Sequence, residues 1–457
     1  VKFDNQLRHA TAIIDTYKGE MPLHTWLKDF FRGNKQMGAR DRRTLSTLVY
    51  GYYRLGHSLP TTPTPDRLLA GLFLCTNQPG DFLQHFHPEL NEKATLPLEE
   101  KIAFFQTQPS GAAFRVTDIF PWPDQLSEDI DHHAFCLSFL RQPDLFLRIR
   151  PGHEKTVRQK LDAALTASPT FSASPALTAS PAASLPGSES RPFQFIPPFT
   201  LRLPNGFKVE DYFTPDREIV IQDYSSQQIA YFFPSPSTYL PVGKNFSSKR
   251  AALPAQSTSA LQSPQSFWDA CAASGGKSIL AHDLYPAMAI TVSDIRESIL
   301  RNLQKRFAQA GIKKYQSFIA DLTQNPPSST RQSSTRPAST RSASPQIPHP
   351  EDFDLILVDA PCTGSGTWSR TPEELFFFDP KKIGHYSEIQ KKILGYIAKG
   401  LAPGSCLIYS TCSVFKKENE EIAAFLRENF GLQQDLMENV KGYDLQADTM
   451  FAARLSR

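Results

Sequence analysis

Hydrophobic positions change their period along this chain, and the changes divide it. Over residues 1 to about 140 they recur every three or four residues. Ile13, Ile14 and Tyr17 share one face, and Leu23, Trp26, Leu27, Phe30 and Phe31 share a second. Leu45, Leu48, Val49, Tyr52 and Tyr53 form a third, and Leu68, Leu69, Leu72 and Phe73 a fourth. This spacing predicts amphipathic helices. Between residues 144 and 150 the period shortens to two, which predicts a strand. A helical stretch with Val157, Leu161 and Leu165 follows, then a second strand over 199–203. From about residue 216 short apolar runs alternate with helical ones. Strands are expected at 266–271, 289–294, 315–321, 353–359 and 406–411. Ile295, Ile299, Leu303 and Phe307 mark one intervening helix, with Gly311 as its C-cap; Ile389, Ile393, Ile397 and Leu401 mark another. Repeated β-α units imply a doubly wound parallel sheet, so the fold class is α/β.

The expected organisation is therefore an all-helical domain over 1–140, a small α+β module over 141–215 and an α/β domain over 216–457. Composition adds three interruptions. Much of the excess among 37 prolines lies in Ser/Pro-rich stretches near 166–191, 234–265 and 323–350. Ala-Ser-Pro recurs at 167, 173 and 179, and Ser-Thr-Arg at 329, 334 and 339. Such segments bury too little apolar surface to offset their ordering entropy and are expected to be disordered insertions.

Charge narrows little. The net charge of +3 is too mild to argue for nucleic acid, so that argument has to be local. It rests on the loop and helix start at 32–43, where Arg40, Arg42 and Arg43 follow two glycines; phosphate backbones attract such cations. Arg148, in the first predicted strand, joins them as a candidate RNA contact. Six cysteines without a CxxC pair argue against a disulfide framework and against a zinc ribbon, so no metal is expected. No apolar run reaches the roughly 20 residues of a bilayer span, and the stretch after Val1 has no signal-like apolar core. The expectation is a soluble, cytoplasmic monomer.

The chemistry lies at predicted strand ends. In open α/β sheets ligands bind beyond the carboxyl ends of the strands. Asp294, Asp321 and Asp359 close three successive strands. Any one of them could be a helix N-cap, but three in a row favour a polar ligand. The turn Cys271-Ala272-Ala273-Ser274-Gly275-Gly276-Lys277 is no dinucleotide fingerprint, because GxGxxG is absent. It is no P-loop either, since Cys271 occupies the required first glycine position. A Gly-Gly turn with acids closing the next two strands suits an adenosine-type ligand. Cys362 follows Asp359 by three residues, and Cys412 follows the 406–411 strand. Two thiols therefore converge on neighbouring strand ends, and spacing alone does not say which is the nucleophile. Cys75, Cys136 and Cys406 lie in apolar runs and read as core.

Three motifs together, Asp269 to Lys277, Asp359-Ala360-Pro361-Cys362-Thr363-Gly364 and Ser410-Thr411-Cys412-Ser413, resemble the RsmB/Sun family of S-adenosylmethionine-dependent RNA (cytosine-5) methyltransferases. Gln222 to Ser226 fits as well. The resemblance covers about 216–457 and implies a Rossmann-like class I methyltransferase domain. The N-terminal helices look like the NusB-type RNA-binding domain of the RsmB branch. Ser274 departs from the pattern, standing where the family usually has proline. By the resemblance, residues 271–277 cradle the methionine part of the cofactor, Asp294 holds the ribose and Asp321 the adenine. Asp359 contacts the base, Cys412 attacks it, and Cys362 assists product release. The implied substrate is 16S ribosomal RNA, with tRNA as an alternative. A non-catalytic RNA-binding assembly factor is the other reading, and the presence of both thiols argues against it.

Overall fold

The computed structural model describes residues 2–167, 193–234, 264–324 and 347–457. The three Ser/Pro-rich segments fall almost wholly outside the described residues. The chain forms two compact units. One comprises residues 1–143, 364–382 and 443–446; the other comprises 144–363, 383–442 and 447–457.

The first unit is helical, as the 3.6-residue period requires. Its helices include Lys2–Thr16, Leu23–Gly33, Ala39–Arg54 and Thr64–Cys75. Ile13, Leu23, Leu27, Leu45, Leu48, Val49, Tyr53, Leu68 and Leu69 from all four predicted faces meet in one core. Ala39–Arg54 and Thr64–Cys75 cross closely at Gly51 and Gly71. A Cβ on Gly71 would stand 2.4 Å from the Gly51 carbonyl oxygen, so backbone packs on backbone there. Residues 364–382 complete this core. The rings of Phe376 and Phe377 pack edge-on or tilted against Tyr53, and Glu373 accepts the Leu23 amide at 3.0 Å.

The second unit holds two sheets. The smaller has strands β1 (Leu145–Ile149), β2 (Gln194–Ile196), β3 (Thr200–Leu203) and β4 (Ile219–Ile221), in the order β2-β3-β1-β4 and antiparallel throughout. The larger has β5 (Ser266–Asp269), β6 (Ala289–Asp294), β7 (Tyr315–Ile319), β8 (Leu355–Asp359), β9 (Cys406–Thr411), β10 (Gln433–Val440) and β11 (Met450–Ser456). Their order is β10-β11-β9-β8-β5-β6-β7. Strands β5 to β9 are parallel, while β11 lies antiparallel between β9 and β10. Leu355, Ile356, Leu357 and Val358 are fully buried, because helices cover both faces. The five predicted strands are present, and the last two were not anticipated. The α+β module shares a compact unit with the larger sheet, and β4 extends it past the expected boundary at 215. The order reverses at β5, between β6 and β8, so the crevice for a ligand opens beyond the ends of these strands.

Candidate active site

The turn after β5 is shaped for close approach. Gly275 takes φ +82°, and a Cβ there would lie 2.9 Å from Leu303 Cγ and 3.0 Å from Phe307 Cε1. The Ala273 amide donates to Asp294 Oδ2 at 3.0 Å, tying the turn to the end of β6. Ser274 is held from outside: Arg306 Nη1 donates to both its carbonyl and its hydroxyl at 3.0 Å. Arg306 in turn is paired with Asp216 at 2.7 Å. The hydroxyl thus supplies a fastening that proline lacks. Helix Gly276–Leu284 runs from the turn, and its far end carries Asp283.

Asp283 corrects one expectation. Arg148, a candidate RNA contact, has a fully buried side chain and donates to Asp283 at 2.5 Å and to Gln222 at 2.9 Å. Arg150 grips the same carboxylate at 2.7 Å. Burial opposes the charge on Asp283, yet Arg148 and Arg150 hold its carboxyl well below the usual range. Arg148 therefore anchors the helix of the Gly-Gly turn to the small sheet and presents no charge to RNA. An alternating strand reads the same whether its polar side faces water or another layer, which is why the sequence misled. Arg40 and Arg43 are exposed on the first turns of helix Ala39–Arg54, where they line a depression with Lys2, Thr44 and Thr47. Arg40 lies 3.5 Å from Asp81. Arg42 is half-buried and donates to the Met37 carbonyl at 2.9 Å.

The strand-end acids form a row. Asp294 is buried and accepts from the amide and the guanidinium of Arg296 as well as from Ala273. Asp321 accepts from the Thr323 hydroxyl and amide, which hold its carboxyl below its ordinary value. Asp269, which the sequence reading treated only as part of a motif, ends β5 fully buried. Its Oδ2 accepts from Ser278 at 2.6 Å, and its Oδ1 has no partner among the described residues. Burial pushes this carboxyl up to about 7.

Beyond β8 and β9 the thiols meet. Cys362 Sγ and Cys412 Sγ are 3.4 Å apart. Asp359 accepts from Lys277 Nζ at 2.7 Å and from Ser410 Oγ at 2.8 Å. Burial opposes the Lys277 ammonium, but Asp359 beside it raises its pKa above the ordinary value, so the ammonium keeps its charge. Cys271 stands by the turn, and burial among Asp269, Asp294 and Asp359 pushes its thiol up. The thiols of Cys406 and Cys75 are pushed up to about 11 and that of Cys136 to about 12, all by burial, as suits core residues.

Sequence reasoning missed the group behind the thiols: Glu418, Asn419 and Gln390, all fully buried. Glu418 sits among Lys416, Lys417, Glu420 and Glu421, where a charged residue reads as solvated surface. The available signal was its position, six residues after Cys412 and before a helix with a strong apolar face.

Residues 257–454 match the family described as 16S rRNA methyltransferase RsmB/F. The match covers less than half of the chain and takes in the Gly-Gly turn and both thiol loops. Its methyltransferase assignment carries S-adenosylmethionine as the cofactor. Among curated relatives, ribosomal RNA small subunit methyltransferase B of Shewanella oneidensis is 29% identical over 187 residues, covering 40% of this chain and 39% of that protein. The enzyme of the same name from Klebsiella pneumoniae is 31% identical over 159 residues, 35% of this chain and 32% of that one. Ribosomal RNA small subunit methyltransferase F of Shewanella amazonensis is 38% identical over 81 residues, 18% and 17% respectively. The matched stretches thus span well under half the length of these relatives. Among solved structures, PH0851 aligns over 98% of this chain and 97% of its own at a TM-score of 0.57, with 17% identity, a likeness of fold.

The residues present fit the cofactor. Its ribose hydroxyls and ammonium are hydrogen-bond donors, and carboxylates are the acceptors that match them. Asp269 and Asp294 end β5 and β6, Asp321 lies two residues past the end of β7, and the turn that Gly275 bends with its positive φ follows β5.

Proposed function

We propose that this protein methylates carbon 5 of a cytosine in structured RNA, with small-subunit ribosomal RNA as the substrate. The observation that carries this reading is the pair of thiols 3.4 Å apart, next to the Lys277–Asp359 ion pair. A methyltransferase acting on oxygen or nitrogen needs no thiol, whereas carbon 5 of cytosine is a poor nucleophile and needs covalent activation.

In this reading the turn 271–277 and Asp294 hold the cofactor, with Asp321 at the adenine. The bound cofactor supplies an electrophilic methyl on a sulfonium. Asp359 is fixed by Lys277 and Ser410, so without reorganising it can accept a hydrogen bond from the amino group on the polar edge of the base. Cys412 adds as thiolate to carbon 6, and the electron pair of the 5,6 double bond becomes available at carbon 5. After carbon 5 has gained its methyl, its proton passes to a base, the double bond re-forms and Cys412 leaves. Cys362, one van der Waals contact away, assists that departure. The base must be unstacked to reach the thiols. Arg40 and Arg43, exposed with Lys2 around one depression, are the cations proposed to meet RNA phosphates.

Bisulfite sequencing of total RNA from cells with and without the gene tests the substrate. Loss of one 5-methylcytosine from small-subunit ribosomal RNA is expected. An unchanged ribosomal profile with a site lost from tRNA would replace the substrate, and no lost site would remove the activity.

A further inference from the structure

We propose that Glu418 is the positioning residue of this site: a single buried carboxylate that fastens the loops of both thiols to each other. The inference rests on the reading of Cys362 and Cys412 as the reactive pair.

One oxygen of Glu418 accepts the Thr363 amide at 2.9 Å, and the other accepts the Thr363 hydroxyl at 2.6 Å. The second oxygen also accepts the Ser413 hydroxyl at 2.5 Å. Thr363 directly follows Cys362, and Ser413 directly follows Cys412. The two hydroxyls are themselves 3.3 Å apart. Pro361, on the other side of Cys362, is fixed through its carbonyl by Gln390 Nε2 at 2.9 Å. Asn419 completes the second loop: it accepts the Thr411 hydroxyl at 2.6 Å and donates to the Ser413 carbonyl at 2.9 Å. The Tyr409 hydroxyl donates to the Glu418 carbonyl at 2.5 Å, tying the backbone of the clasp to β9. Each cysteine thus has the next residue bonded to one carboxylate that solvent does not reach.

Neither strand needs this arrangement for its own pairing, because β8 and β9 are already in register through Asp359 and Ser410. Strand pairing fixes the chain up to Asp359 and Thr411. The thiols lie beyond it, three residues past Asp359 and one past Thr411, where loops drift unless something holds them. A covalent mechanism that hands a leaving group from one sulfur's neighbourhood to the other depends on that spacing, and a misplacement of about 1 Å costs on the order of 100-fold in rate. Glu418 touches neither sulfur, so its contribution is geometric.

The test uses the full-length protein and two readouts. Glu418→Ala removes the clasp. Glu418→Gln keeps an acceptor for the Thr363 amide and offers an NH2 to the two hydroxyls, which can rotate to accept it. The double variant Thr363→Val/Ser413→Ala removes the hydroxyl arms while leaving Glu418 in place, and it serves if Glu418→Ala does not fold. The first readout is the rate at which diamide bridges Cys362 to Cys412, followed by mass spectrometry of the linked peptides. Diamide takes up the two protons and two electrons that the thiols lose. Disulfide formation demands narrow geometry, so bridging is expected to slow about tenfold or more in Glu418→Ala or the double variant and to recover largely in Glu418→Gln. The second readout is methyl transfer to RNA, where kcat should fall about 100-fold with KM for RNA little changed. Bridging and kcat both within twofold of wild type in the clasp-less variants would overturn the proposal. Should the wild-type protein transfer no methyl group, the functional reading fails, while the bridging rates still decide the clasp.

Discussion

Asp269 concentrates the electrostatic tension of this site in one side chain. Its carboxyl is pushed up to about 7 by burial, with Asp359 and Asp294 adding repulsion, and the Ser278 hydrogen bond only partly offsets this. An unfolded aspartate ionises near 4. Between about pH 4 and 7 the unfolded chain therefore loses a proton that the folded chain keeps, so this group's contribution to stability is present below pH 4 and is lost as the pH rises through 7. Asp269→Asn removes that dependence. Relative to wild type, the variant is expected to gain on the order of 1–3 kcal/mol between pH 4.5 and 7.5, read from denaturant midpoints across that range. A difference independent of pH would show that Asp269 is ionised throughout. At this scale the sequence was partly legible. The residues proposed to carry the chemistry, Asp359, Cys362 and Cys412, stood out because thiols and acids at strand ends are rarely filler. Glu418 and Gln390 did not, because burial of a charged or amide side chain inside a polar run leaves no mark on hydrophobic periodicity.

The element that matters most is the β5 turn with its helix. Three separate fastenings hold it: the Ala273 amide on Asp294, Arg306 on Ser274, and Asp283 on Arg148 and Arg150. Gly275 gives it its bend, and the positive φ there is a conformation that costs other residues about 1–2 kcal/mol. With a Cβ 2.9 Å from Leu303 as well, Gly275→Ala is expected to lower stability by at least about 1–2 kcal/mol. It should also weaken S-adenosylmethionine binding, measurable together by thermal melts with and without the cofactor. An unchanged melt in both conditions would mean that the turn relaxes freely. The parallel strands were readable as short apolar runs closed by acids. β10 and β11 were not, because their buried positions are broken by polar ones. Gln433-Gln434-Asp435 opens β10, and Arg454 interrupts β11 with its charge met by Asp435 at 3.2 Å. Such pairs make sense only once two distant strands lie side by side.

Across the whole molecule, the order of domains along the chain and the order in space differ. The expected boundaries at 140 and 215 treat each domain as one continuous stretch. Instead residues 364–382, just past the Cys362 loop, belong to the helical unit, and the small sheet belongs with the large one. Periodicity reports which face of an element is apolar and says nothing of which distant segment will cover it. The hint was the run Leu375-Phe376-Phe377-Phe378, too aromatic for an exposed loop. Since Tyr17, Tyr52 and Tyr53 pack edge-on or tilted against Phe376 or Phe377, fragment 1–143 alone leaves an aromatic face uncovered. It is expected to melt lower and less cooperatively than the same fragment joined to 364–382 through a flexible linker. Equal melting curves would show that the insertion adds nothing to the core.

The central claim, that Cys412 attacks and Cys362 releases, is tested most directly by incubating Cys412→Ala and Cys362→Ala proteins with ribosomal RNA and S-adenosylmethionine and resolving the products on a denaturing gel alongside methyl incorporation. The account predicts that Cys412→Ala forms no adduct and transfers no methyl group, while Cys362→Ala accumulates a covalent protein–RNA species. Full methyl transfer by Cys412→Ala together with an inactive Cys362→Ala would contradict it and exchange the roles of the two thiols.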